Sequence, residues 1–298
     1  MKILIGACLS KKNFKFLNKF LNSLIKLEVP INHRLKIVFI IEKKNQIFEN
    51  YISKILKRKK IDFKILFTDR NGIPQLRNIF LEYLKKNVSK YSGFLDDDCI
   101  VPIKWLKNMV KFIEKKNCDI VGGPQLHMTK NKFYEKLFKI IEPKNTHGKK
   151  VDWVATNNVI FKSKILKKMD LIFDINLKNI GGSDQLFFKK LHLKNLDLKW
   201  NLNSFVIENV QIERENLKWF LKRNLRYGYS GNYIDKKIYG SQVGLFLNFS
   251  KGFYLFFLSI FFMIIFFFND NFYRSIFYFC RSVGRFSSLI GYKPNKYI

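Results

Sequence analysis

Short apolar runs that alternate with amphipathic helical patterns constrain this chain more than any other feature of its sequence. "KILIGACL" at residues 2–9 is one such run. Residues 13–28 follow it, with Leu17, Leu21, Leu24 and Ile25 on one helical face. "LKIVFII" (35–41), "DFKILFT" (62–68) and "YSGFL" (91–95) repeat the run, and residues 47–56 and 74–86 repeat the helical spacing between them. The switch of hydrophobic period separates strand from helix, and strict alternation of the two predicts βαβ units. The fold class expected is α/β: a mostly parallel central sheet flanked by helices on both faces. Only Ile3–Ala7 precede Cys8 as an apolar stretch, short of the ~7–15 residues of a secretory signal, so the same letters read as a buried first strand.

The second half is less regular. "VDWVATNNVIFKSKIL" reads as one or two strands and then a helix from near Ser163, and "IGGSDQLFFKKLHLKN" as a Gly-rich loop feeding a helix. "DLKWNLNSFVIENV" reads as further strands, and "ENLKWFLKRNLRYG" as a helix ending at Gly228. From Gly252 to Phe268 the chain carries no charge over 17 residues, at the lower limit for crossing a bilayer. Arg274, Arg281 and Arg285 then punctuate aromatic and aliphatic residues, the pattern of an interfacial helix. The expected organisation is an α/β domain over 1–210, an amphipathic Arg/Trp helix over 211–240, and a membrane-associated segment over 241–298, with membrane lipids as partners.

Lys and Arg total 55 against 23 Asp and Glu, a formal charge of +32 in 298 residues. Such a surface suits nucleic acid, anionic lipid or a phosphate-bearing substrate, and it equally fits compositional drift, since Lys, Asn, Ile and Phe are abundant throughout. The lysines are dispersed rather than blocked, which argues against a nucleic-acid tail. Cys8, Cys99, Cys118 and Cys280 form no CxxC pair, which argues against a disulfide framework or a zinc site and for a reducing compartment.

Against this charge, "GFLDDDCIVP" (93–102) is an anomaly: Asp96, Asp97 and Asp98 stand together just past a buried strand. In parallel sheets ligands sit beyond the carboxyl ends of the strands. Adjacent carboxylates hinder one another's ionisation, and a divalent cation relieves this while substrate phosphates complete its shell. The cluster therefore reads as a metal–diphosphate site, with a solvated acidic turn as the bland alternative. In "RNGIPQLRN", Arg77 opens a helix and suits a nucleotide base or phosphate, or simply solvent. In "GGSDQLFF", Asp184 stands at a helix start, a site residue or an ordinary N-cap. Arg223 and Arg226 share a helix face that suits a diphosphate, lipid head groups or water.

In order, these pieces resemble the family 2 glycosyltransferases, which have the GT-A fold. "SGFLDDDCIVPIKWL" resembles their DxD segment and "NGIPQLRN" the segment before it; "VATNNVIFKSKIL", "IGGSDQLFFKKL" and "ERENLKWFLKRNLRYG" stand where the family has its acceptor-side, acidic-pair and QxxRW-like elements. The resemblance covers about residues 1–230. It implies that Asp96 contacts a nucleotide-sugar donor, that Asp98 with Asp96 binds Mg²⁺ or Mn²⁺ at the diphosphate, and that Asp184 is the base that deprotonates an acceptor hydroxyl. It implies transfer by single displacement with inversion. Leu9 and Ser10 would lie under the nucleotide, and Trp153, Asn157 and Asn158 would face the acceptor or donor sugar. The chain departs from the pattern at Glu42, where many members have an Asp for the base, at Ser183-Asp184, where the pair is Glu-Asp, at Glu208, where some have a metal-binding histidine, and in lacking QxxRW.

Two further readings belong to other classes. A metal-dependent nuclease or nucleotidyltransferase would need more carboxylates converging on the cluster, and a membrane-anchored binding protein with a degenerate transferase fold would bind without turnover. The transferase reading implies a glycan or lipid-linked acceptor, no nucleic-acid partner, and attachment to the cell membrane with the catalytic domain in the cytoplasm.

Overall fold

A computed structural model describes residues 1–10, 13–44, 46–58, 61–167, 172–265 and 271–291. Internal contacts divide the chain into two compact units, one comprising Met1–Met128, Lys144–Ile175 and Phe187–Asn209 and the other Thr129–Pro143, Asn176–Leu186 and Val210–Ile298.

The first unit opens with the expected alternation: β1 (Lys2–Leu9), α1 (Phe14–Leu24), β2 (Arg34–Glu42), α2 (Gln46–Arg58), β3 (Asp62–Thr68), α3 (Ile73–Lys86) and β4 (Tyr91–Asp96). These four strands pair in parallel, in the order β3-β2-β1-β4. Side chains on a strand alternate between its two faces, and the two halves of the core follow that period. Ile3, Ile5, Ala7 and Leu9 of β1 join Phe20, Leu21 and Ile52 in one cluster, while Leu4 and Cys8 join Phe80 and Leu84 in the other. A sheet buried on both faces explains why its strands read as unbroken apolar runs.

Next come β5 (Cys99–Ile100), α4 (Trp105–Lys115), β6 (Ile120–Gly122), β7 (Gln125–Met128), α5 (Lys132–Ile141), β8 (Asn158–Lys162), α6 (Lys164–Lys167), α7 (Ser183–Leu193), β9 (Leu198–Trp200) and β10 (Val206–Asn209). Strands β8, β6 and β9 extend the sheet to seven strands, β8 running antiparallel to both β4 and β6. The sheet is thus mostly parallel, as expected, with one reversed strand. β5, β10 and β7 form a separate small sheet.

The second unit contains α5 together with α8 (Leu217–Tyr239), α9 (Ser241–Ile264) and α10 (Asn271–Ser287). Phe138, Trp219, Phe220 and Phe277 form its aromatic core, with Phe138 and Phe220 4.8 Å apart at their ring centres. The sequence ends a helix at Gly228, but α8 continues to Tyr239. Gly228 is a contact point, not a cap: a Cβ built there would overlap the Arg281 backbone of α10. Among the described residues α9 alone is long and apolar enough to cross a membrane. Phe266–Phe268, which close the uncharged run, lie outside the described residues.

Close backbone approach also governs the β4–β8 junction, where a Cβ on Gly93 would overlap the Val159 carbonyl oxygen. Neither strand can yield without disturbing the register Phe94↔Val159. Gly93→Ala is therefore expected to cost about 1–3 kcal/mol, read as a lowered denaturation midpoint with an unchanged slope in urea. A midpoint at the wild-type value would show that the junction relaxes freely.

Candidate active site

Register brings the candidate residues of the first unit to one edge of the sheet. Cys8 of β1 pairs with Asp96 of β4, and Leu9 pairs with Ile41 of β2, so Ser10, Glu42 and the three aspartates follow the carboxyl ends of neighbouring strands. There the aspartates take different roles. Asp97 turns inward and is buried. Its two carboxylate oxygens accept from the Ser10 backbone N–H at 2.6 Å and from Asn13 Nδ2 at 2.5 Å, which ties the turn after β4 to the end of β1. Desolvation pushes its pKa up to about 7, against the pull of those two donors. Leu9 itself is buried in the core.

Asp96 is partly exposed and lies 3.6 Å from Arg77 Nη2, whose guanidinium also sits over the Phe173 ring. Phe173 is fixed in turn by Asn78, which donates to its carbonyl at 3.0 Å and accepts from its N–H at 2.7 Å. Arg77 is nearly buried, so this is a positioned cation and not a solvated helix face. Asp98 is buried too, and its carbonyl accepts twice from Asn209, from the backbone and the side-chain amide, both at 2.8 Å.

The small sheet carries a polar network that sequence reasoning missed. Along β7, Gln125 and His127 point inward while Leu126 and Met128 are exposed, the reverse of an ordinary strand. His127 Nε2 lies 3.3 Å from Glu208 Oε2 of β10, its register partner. Gln125 donates to the same Glu208 oxygen and accepts from Asn157 Nδ2. Asn157 is buried, and its Oδ1 has no hydrogen-bond partner among the described residues. The signal in the sequence was the alternation itself: "QLHM" puts its polar residues two apart, on one face. Glu208 also pairs in register with Cys99, next to Asp98.

Asn158 is different. It is fully buried, accepting from Trp105 Nε1 at 2.7 Å and donating to the Pro124 and Ser204 carbonyls, both at 2.8 Å. The expectation that it faces a sugar is corrected: its amide is consumed in holding β8 to the loops around it. Trp153 is partly buried and packs on the core face that contains Phe187 and Phe188.

Asp184, Arg223 and Arg226 belong to the second unit. Asp184 lies in the first turn of α7, partly exposed, with its Oδ1 accepting from the Gln185 N–H at 2.9 Å. Gly181 and Gly182 before it have φ of 83° and 86°, a conformation that favours glycine. Arg223 lies over the Trp219 and Tyr227 rings and donates from Nε to the Tyr227 hydroxyl at 2.6 Å, while Arg226 is buried.

Among the described residues no three His, Cys, Asp or Glu side chains converge as a ready metal cage. Asp96 and Asp98 fit a different kind of site. Two hard carboxylates are what Mg²⁺ takes from a protein when substrate phosphates and water fill its other positions.

The family model for glycosyl transferase family 2 matches residues 8–173, more than half of the chain. Among solved structures, the chain is similar to residues 1–349 of S. aureus TarS (18% identity, TM-score 0.57, 81% of this chain and 66% of that one). The same protein in complex with UDP-GlcNAc aligns at 14% identity and TM-score 0.57, over 98% of this chain and 92% of that one. GalNAc-T7 with UDP, GalNAc and Mn²⁺ aligns at 14% identity and TM-score 0.57, over 80% and 50%. These likenesses show a shared fold. None of the curated proteins matches significantly.

The buried Asp97 gives a signed pH dependence. Its folded pKa is raised, so its contribution to stability is full below the unfolded carboxylate value of about 3.9 and is lost as pH rises through about 7. Between pH 5 and 8 the melting temperature of the wild type should therefore fall more steeply than that of Asp97→Asn. Parallel curves would mean that Asp97 is ionised in the folded protein throughout.

Proposed function

The chain belongs to glycosyl transferase family 2, has the GT-A fold, and on that premise we propose that it transfers a sugar from a nucleotide diphosphate-sugar to an acceptor hydroxyl with inversion at the anomeric carbon. The observation that carries the reading is the division of labour among three consecutive aspartates. Asp97 is consumed as a buried brace, and the donor is assigned to the aspartates on either side of it, Asp96 beside Arg77 at the sheet edge and Asp98.

In this reading the nucleotide lies along the carboxyl edge of β1 and β2, over Leu9 and Ser10, with Glu42 toward its base. Asp96 and Arg77 meet the nucleotide-sugar. Asp98, with Asp96, holds Mg²⁺ or Mn²⁺. When bound, that cation supplies charge neutralisation to the diphosphate leaving group. Asn157 and Trp153 face the sugar, the orphan Asn157 Oδ1 being suited to accept from a sugar hydroxyl. Asp184 is the general base: it takes the acceptor O–H proton as the new C–O bond forms and the anomeric bond to the diphosphate breaks. Arg223 and Arg226 meet an anionic group, the diphosphate or a lipid head group. A glycan or lipid-linked acceptor suits the apolar α9, which would attach the protein to the cell membrane with the catalytic domain on the cytoplasmic side, where nucleotide-sugars are made.

Thermal denaturation with a panel of nucleoside diphosphates, with and without Mn²⁺, tests this. A ligand at a hundred times its Kd stabilises the folded state by about 2.7 kcal/mol, roughly 5 °C for a chain of this size. One nucleotide should give that shift only with Mn²⁺, and Asp98→Ala should abolish it. Asp184→Asn should keep the shift while losing about a hundredfold or more of transfer. No shift with any nucleotide, or a shift that survives Asp98→Ala, would overturn the metal–diphosphate assignment. A shift without transfer in the wild type would favour a non-catalytic binding protein.

A further inference from the structure

Helix α9 is amphipathic in the wrong sense for water. The face it turns to α8 and α10 carries Gly244, Asn248, Gly252 and Ser259, all buried. The opposite face exposes Phe246, Phe249, Phe253, Phe257, Ile260 and Ile264, between 41% and 73% accessible. A soluble surface helix puts its apolar stripe inward. Small and polar residues between helices, with apolar residues outside, are how helices pack in lipid. The contacts agree: Ser275 donates to the Ser259 carbonyl at 2.9 Å, Ser282 to the Gly252 carbonyl at 2.8 Å, and Asn248 to the Arg285 carbonyl at 3.0 Å. Asp235 of α8 joins the three helices, accepting from Lys251 of α9 at 2.8 Å and Arg285 of α10 at 3.1 Å.

Those same rungs fix how α9 meets a bilayer. α10 runs antiparallel to α9, so Arg274, Arg281 and Arg285 lie within one residue of the rungs at Ser259, Gly252 and Asn248. If α9 crossed the membrane, its uncharged half would carry Arg274 and Arg281 into the hydrocarbon, at about 2.5–3.5 kcal/mol each on insertion scales. If α9 lies flat, all three rungs share one depth and the cations stay at the head groups. The three helices carry ten lysines and arginines and a single acid, Asp235, a balance that suits an anionic leaflet.

We propose that α9 lies in the plane of one leaflet of an anionic membrane, its Phe stripe in the acyl chains and α8 and α10 on the water side. The stripe from Phe246 to Ile264 would then be a contact about 27 Å long. This rests on the membrane attachment proposed above, and the experiment separates the two. The full chain is floated with vesicles of phosphatidylcholine containing about one third phosphatidylglycerol. The wild type should float, and the Phe253→Glu, Phe257→Glu double variant should partition about tenfold less or weaker at an unchanged melting temperature, since both side chains point outward. Ser241→Cys and Asn271→Cys, each in a Cys280→Ser background, are then treated with a membrane-impermeant maleimide outside intact vesicles. Both should react without detergent. If either reacts only after the vesicles are dissolved, α9 crosses and the in-plane orientation is wrong. If the wild type does not float, attachment itself fails. If it sediments instead as a lipid-free oligomer that Phe257→Glu disperses, the stripe belongs to a second copy of the chain and the lipid proposal is overturned.

Discussion

The carboxylate of Asp97 is the constraint on which the candidate site depends. β1 and β4 are adjacent parallel strands, and both end at an edge where backbone groups lose their ladder partners. Asp97 satisfies the Ser10 N–H and binds Asn13 beyond it, so the chain leaving β1 and the chain leaving β4 are clamped to each other. A buried acceptor holding two donors is costly to remove, because the donors are left without water. It also sets the direction of its neighbours. Between the strand end at Asp96 and the short β5 at Cys99 there is little slack. With the middle aspartate turned into the protein, Asp96 is left beside Arg77 at the sheet edge, and Asp98 is anchored through its carbonyl to Asn209.

What could be read in advance follows from which forces are local. β1 and β3 have the bounds the apolar runs gave, Lys2–Leu9 and Asp62–Thr68, because a strand buried on both faces writes its length directly into sequence. The acidic cluster was legible for a related reason: three charges at the end of such a run have no place in a core. Roles within the cluster were not legible, since they turn on Asn13 and Ser10, some 84–87 residues away in sequence. Asn158 shows the same limit. An Asn near a suspected site reads as a ligand contact, and only the tertiary fold reveals that Trp105, Pro124 and Ser204 have used its amide.

Gly228 was misread for a different reason. A glycine after an Arg-rich helical stretch is a common stop, but the same residue serves where two helix backbones meet, and Gly284 of α10 makes the reciprocal approach to Leu225. The inward-facing polar residues of β7 were overlooked because "QLHM" is short and its Leu and Met suggest burial. They are exposed, and Gln125 and His127 are the half-buried pair that faces inward. In both places the residue type was clear and its direction was not, and direction is what decides between a stop and a packing contact, or between a core strand and the wall of a polar site.

The two units solve burial in opposite ways. In the first, the sheet hides Ile, Leu, Val and Phe on both faces. In the helices of the second, Asn248, Ser259, Ser275, Ser282, Asp235 and Arg285 are inside while phenylalanines of α9 are outside. Water accounts for the first pattern, and the lipid contact proposed for α9 accounts for the second. Burial of the Asp235–Arg285 pair costs desolvation, and water gives no compensating reason to expose a row of Phe side chains. Beside a lipid leaflet the same arrangement costs little: the rings leave water for acyl chains, while the polar contacts stay between α9 and its neighbours. The abundance of Phe that reads as compositional drift in the whole chain falls, in α9, on the face turned away from the buried Gly244, Asn248, Gly252 and Ser259.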